Sequence, residues 1–133
     1  MIRVSSLEKP YRTSFTNGRH SAVADVPLEK GGADEGFGPH ELLEAALATC
    51  LTMTVQMYAA KHGLPLTAAH CAVRLDRSVP NDFVLHYDLV LDGPLGPDET
   101  EQLREAARNC PVGRTISSAP RLVAASRSGV AST

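Results

Sequence analysis

Apolar and polar positions change rhythm several times along this chain, and each change marks an element. From Tyr11 to Phe15 they alternate around Arg12 and Ser14, and Thr16-Asn17-Gly18 supplies the residue types a tight turn needs. His20 to Val26 then reads as the return strand of a hairpin. Residues 28–38 (LEKGGADEGFG) hold four glycines and several charges, which predicts a loop of the kind that often carries function. At Gly38-Pro39 the period becomes helical. Proline at a first helical position loses no useful N–H, Glu41 suits the positive end of the helix dipole, and Gly63 is a stop signal after His62. Leu43, Leu47, Cys50, Thr54 and Met57 recur at spacings of three and four, so they are expected to share one face.

The period then returns to two. Cys71, Val73 and Leu75 alternate with Ala72, Arg74 and Asp76 over Cys71 to Arg77. Between Asp82 and Asp92, Phe83, Leu85, Tyr87, Leu89 and Leu91 alternate with polar positions including His86 and Asp88. With the turn at Pro80-Asn81-Asp82 this predicts an antiparallel hairpin with one buried face. A second helix is expected from Pro97-Asp98-Glu99 to about Asn109, with Leu103, Ala106 and Ala107 as its apolar side. Cys110 precedes Pro111 and so falls at an end or cap position, before a short turn over Pro111 to Ser117. Arg121 to Ser126 reads as a last strand and Gly129 to Thr133 as a polar tail. The order β-β-α-β-β-α-β describes an α+β domain, residues 1–133, with an antiparallel sheet and helices on one side.

Composition narrows the function classes. A length of 133 residues fits one domain, and a net charge of −2 with no basic run argues against nucleic acid or an anionic membrane as the main partner. The stretch Leu42 to Ala60 is interrupted by Glu44, Thr49, Thr52, Thr54 and Gln56, which reads as too polar to span a bilayer. The N-terminal residues carry no apolar signal core, so the expected location is cytoplasmic.

The chemistry rests with three cysteines. Their odd number and the absence of C-x-x-C exclude a disulfide framework, a zinc ribbon and a thioredoxin-type motif. Taken alone, a mid-helix cysteine such as Cys50 is more often a small core residue than a nucleophile. Cys71 lies on the inward face of its strand and is expected to be structural. Cys110, at a cap before Pro111, has backbone N–H groups in reach that are expected to lower its pKa. The five histidines show no metal spacing.

The residues around the two remaining thiols say more than the periodicity. The segment Gly38-Pro39-His40-Glu41-Leu42-Leu43-Glu44-Ala45-Ala46-Leu47-Ala48-Thr49-Cys50 and its continuation to Ala59 closely resemble the first-cysteine helix of the OsmC/Ohr family (osmotically inducible and organic hydroperoxide resistance proteins). Cys110-Pro111-Val112-Gly113-Arg114-Thr115 resembles that family's second motif. The resemblance covers about residues 10–128 and lies nearer the OsmC-like branch. It implies an intertwined homodimer, with no cofactor and no metal. It further implies Cys50 as peroxidatic cysteine, Cys110 as resolving cysteine, an organic hydroperoxide as substrate and a lipoyl-type dithiol as reductant. The family also sets an arginine from the N-terminal hairpin beside the first cysteine. Arg19 is the best match and Arg12 the alternative. A family glutamate that holds this arginine is His40 here, with Glu41 one residue later and about opposite Cys50 on a regular helix. Three readings follow: a thiol peroxidase, a non-catalytic dimer binding a hydrophobic ligand, and a thiol redox sensor.

Overall fold

In the computed structural model, residues 1–125 are described. The N-terminal strands β1 (Arg3–Ser6), β2 (Thr13–Thr16) and β3 (Ser21–Ala24) form an antiparallel meander, with Ser14 opposite both Ser5 and Val23. Its β2–β3 turn is closed by Asn17, whose Oδ1 accepts from the backbone N–H of Arg19 (2.9 Å) and His20 (2.8 Å). The loop after β3 is built around Asp25, which is 3% exposed. Its carboxylate accepts from the backbone N–H of Val26 (2.7 Å), Ala33 (3.2 Å) and Glu35 (3.1 Å). The Glu35 N–H is the largest cause holding the Asp25 pKa below the ordinary carboxylate value.

Helix α1 (Pro39–His62) begins and ends where the sequence places it. Glu41 Oε1 accepts the Gly38 N–H at 2.9 Å, and Gly63 closes the helix in the left-handed region at φ 64. Its buried face differs from the expected stripe. Leu47, Leu51, Val55 and Ala59, each four apart, are buried, while Leu43 and Met57 are exposed and Cys50 is half-buried. The helix is apolar around much of its circumference, so periodicity alone could not choose among stripes. By length and composition α1 could cross a membrane, contrary to the expectation that its polar interruptions prevent this. One face of it, Leu47, Leu51, Val55 and Ala59, packs in the hydrophobic core, and Glu44 Oε2 accepts the Leu75 N–H of the strand beside it at 2.9 Å.

Strands β4 (Ala68–Asp76) and β5 (Val84–Asp92) pair antiparallel along their whole length, Ala68 opposite Asp92 and Asp76 opposite Val84. Cys71, Val73, Leu85, Leu89 and Leu91 turn inward onto α1, as the alternation predicts. Helix α2 (Pro97–Arg108) closes the core with Leu103 and Ala107, and Arg104 Nη1 donates to the Leu89 carbonyl at 3.3 Å. A short helix α3 (Pro111–Ser117) follows directly.

The fold is α+β and antiparallel, as expected, but its strands divide into two separate sheets, β1-β2-β3 and β4-β5. The expected last strand is absent over residues 121–125, where Leu122 and Val123 are largely exposed. Ser126 and the tail Gly129 to Thr133 lie outside the described residues.

Candidate thiol site

Cys50 projects from the middle of α1, and Cys110 is the N-cap residue of α3. The packing of α3 on α1 makes neighbours of two thiols sixty positions apart in the chain. Pro111 at the first helical position fixes the entry of α3, and the next two backbone N–H groups both point at sulfur. Val112 N–H donates to Cys50 Sγ at 3.4 Å, and Gly113 N–H donates to Cys110 Sγ at 3.3 Å. Cys50 Sγ also lies 3.9 Å from Thr54 Oγ1, one turn on. A Cβ at position 113 would lie 2.9 Å from Cys110 Sγ, so glycine is needed for the helix turn to approach the sulfur this closely.

The Cys110 thiol is 1% exposed, and its pKa is raised rather than lowered. Burial is the largest cause. The Gly113 N–H acts in the expected lowering direction but is outweighed, and the adjacent Cys50 thiol adds to the rise. Cys110 therefore rests as a neutral thiol beside Cys50. Cys71 is half-buried on β4, and burial raises its pKa as well, with smaller contributions from Asp88 and Cys110.

A cleft of about 780 Å³ reaches this pair at Cys110. Leu47 and Leu51 of α1, Leu75 and Leu85 of the β4–β5 hairpin, and Phe83 give it apolar walls. Cys50 is adjacent to Cys110 but does not itself line the cleft. Three side chains able to carry positive charge do line it: His40, Arg77 and Arg108. No carboxylate does so among the described residues.

The arginines considered from sequence sit elsewhere. Arg19 is exposed in the β2–β3 turn, and Arg12 pairs with Glu35 at 2.6 Å. Among the described residues of this one chain, neither lines the cleft nor hydrogen-bonds a cysteine. His40 does face the cleft, while Glu41 is engaged in the α1 cap. Sequence reasoning did not single out Arg77, Arg108 or Gly113. A signal for Arg77 was present, because period two places it on the same inward side as Cys71, Val73 and Leu75. Gly113 belongs to the second motif, but its approach to the Cys110 sulfur is not legible from the sequence.

A family model described as OsmC-like protein matches residues 31–124. No curated protein matches the chain. Among solved structures, an osmotic stress induced and detoxification response protein from Psychrobacter arcticus is 20% identical, with a TM-score of 0.73 over 86% of this chain and 85% of that one. An OsmC-like protein from Mycoplasma pneumoniae is 19% identical, with a TM-score of 0.71 over 90% and 87%. An organic hydroperoxide resistance protein OsmC from Legionella pneumophila is 22% identical, with a TM-score of 0.62 over 87% of each chain. At these identities the likeness speaks for the fold.

Proposed function

Because the chain belongs to the OsmC-like family, we propose that it reduces organic hydroperoxides with Cys50 and Cys110, and that a dithiol of the lipoyl type regenerates it. The observation that carries this reading is the juxtaposition of the two sulfurs at the start of α3, each receiving one of its backbone N–H groups. In the first step the Cys50 thiolate attacks the O–O bond. Cys50 becomes a sulfenic acid, and the departing alkoxide takes a proton to leave as the alcohol. The Cys110 thiol then displaces the sulfenic hydroxyl, which leaves as water with the Cys110 proton, and a Cys50–Cys110 disulfide forms. Two thiols of the reductant reopen it by exchange and become a disulfide themselves.

The raised pKa of Cys110 suits the first step, since a neutral thiol beside Cys50 does not repel the charge of the attacking Cys50 thiolate. The apolar cleft suits a hydroperoxide with a hydrocarbon body, because burying that body favours it over hydrogen peroxide. Such a cycle needs a reducing compartment, hence the cytoplasm.

The proposal includes a homodimer. Met53 and Met57 on α1, Val4 on β1 and Ile2 just before it are exposed, and the β1–β3 sheet pairs with no strand of β4–β5. A second copy would cover this apolar surface and could bring Arg19 or Arg12 to the thiols.

A non-catalytic ligand-binding dimer is the second reading. It is favoured by His40 at the cleft and by the absence of Cys50 from the cleft wall. Cumene hydroperoxide supplied with dihydrolipoamide separates the two. The proposal expects peroxide loss with the native protein and none with Cys50→Ser. Equal peroxide loss with both proteins would remove the enzymatic reading.

A further inference from the structure

Three threonines stand close together on α1: Thr49, Thr52 and Thr54. A threonine inside a helix readily returns its hydroxyl to the carbonyl three or four residues back. Thr49 Oγ1 donates in this way to the Ala45 carbonyl at 2.7 Å, and Thr52 Oγ1 to the Ala48 carbonyl at 2.8 Å. Thr54 departs from the pattern. Among the described residues its hydroxyl bonds no carbonyl, and its contact is Cys50 Sγ at 3.9 Å. Exposure does not account for the difference, because Thr52 and Thr54 are both half-buried.

Cys50 has few groups on its own chain to steady a negative charge. It sits in the middle of α1, beyond the reach of the helix's positive end. Arg12 is paired with Glu35, and Arg19 lies in the β2–β3 turn. From the α3 side the sulfur receives the Val112 N–H at 3.4 Å and lies beside the Cys110 thiol. Thr54 adds a donor from α1 itself. While Cys50 is a neutral thiol, either atom can donate across this contact. Once Cys50 is a thiolate, only the hydroxyl can, and the bond becomes charge-assisted. The contact therefore favours the ionised sulfur over the neutral one, and it tightens as the charge forms.

We propose that Thr54 is a positioning residue for Cys50, its hydroxyl donating to the thiolate and holding it ready for attack. The inference rests on the reading of Cys50 as the thiol that meets peroxide, and it names a residue that makes that thiol reactive. Cys50 gives its proton to solvent, the sulfur then accepts the Thr54 O–H, and Thr54 keeps its own proton throughout. The bond weakens again as the sulfur electron pair enters the new S–O bond. Because the contact is long, its effect on thiolate reactivity is modest, about threefold.

The experiment is alkylation of the full reduced chain with iodoacetamide across a range of pH, with Cys50 followed by peptide mass spectrometry. Thr54→Val keeps the branched shape and removes the hydroxyl. It is expected to slow Cys50 alkylation about threefold near neutral pH and to match the native rate at alkaline pH, where the sulfur is ionised in both proteins. Thr54→Ser restores a hydroxyl and is expected to recover most of the neutral-pH rate. Equal rates for the native protein and Thr54→Val near neutral pH overturn the inference. So does a slowing of the same size at every pH, which disturbed packing would give, or a Thr54→Ser variant as slow as Thr54→Val. Alkylation needs neither peroxide nor turnover, so this result stands apart from the cumene hydroperoxide assay. If that assay succeeds and the hydroxyl makes no difference, only the role of Thr54 is lost. If the alkylation pattern holds and no peroxide is consumed, the bond between Thr54 and Cys50 stands and the peroxidase reading falls.

Discussion

At the scale of single residues, Cys110 is where competing effects are clearest. A cap N–H donor and burial act on one thiol in opposite directions, and burial prevails because the sulfur is almost wholly enclosed. The sign of the pH dependence follows. A thiol whose folded pKa lies above its unfolded value contributes its full stability below the unfolded value, and that contribution is lost as pH rises through the folded one. The native protein should therefore become easier to unfold by urea as the pH passes above the ordinary thiol range. Cys110→Ala should flatten this slope at the alkaline end. An unchanged slope in that variant would show that Cys110 is not the group responsible. The cap position of Cys110 was legible from Cys110-Pro111. The direction of its pKa was not, because burial comes from residues of α1 and α2 far away in sequence.

At the scale of elements, the limits of α1 were readable from Pro39 and Gly63, and the faces of the β4–β5 hairpin from strict alternation. Those signals are local. The choice of buried stripe on α1 was not local. Leu47, Leu51, Val55 and Ala59 were selected by β4, β5 and α2 packing against them. The same holds for the cleft, whose walls combine α1, the hairpin and α2. Leu103 of α2 is fully buried in this core, in the element directly before Cys110. Leu103→Ala should cost about 3 kcal/mol of stability, measured by urea or thermal unfolding, because a leucine-sized void opens between packed elements. A loss under about 1 kcal/mol would mean that α2 collapses freely onto α1 and that the core is less tightly packed than described.

At the scale of the whole molecule, one chain leaves apolar surface uncovered on α1 and β1 while holding its N-terminal sheet apart from β4–β5. Sedimentation equilibrium is expected to give a mass of two chains at micromolar concentration. A monomer under those conditions would contradict the dimer and leave Arg19 and Arg12 without a route to the thiols. The central claim, that Cys50 and Cys110 act as one redox unit, is tested most directly by peptide mass spectrometry after treating the reduced protein with one equivalent of cumene hydroperoxide. The account predicts a Cys50–Cys110 linked peptide within each chain, lighter than the reduced pair by two hydrogens, with Cys71 still a free thiol. Unlinked Cys50 and Cys110, or a bond that joins Cys71 instead, would contradict it.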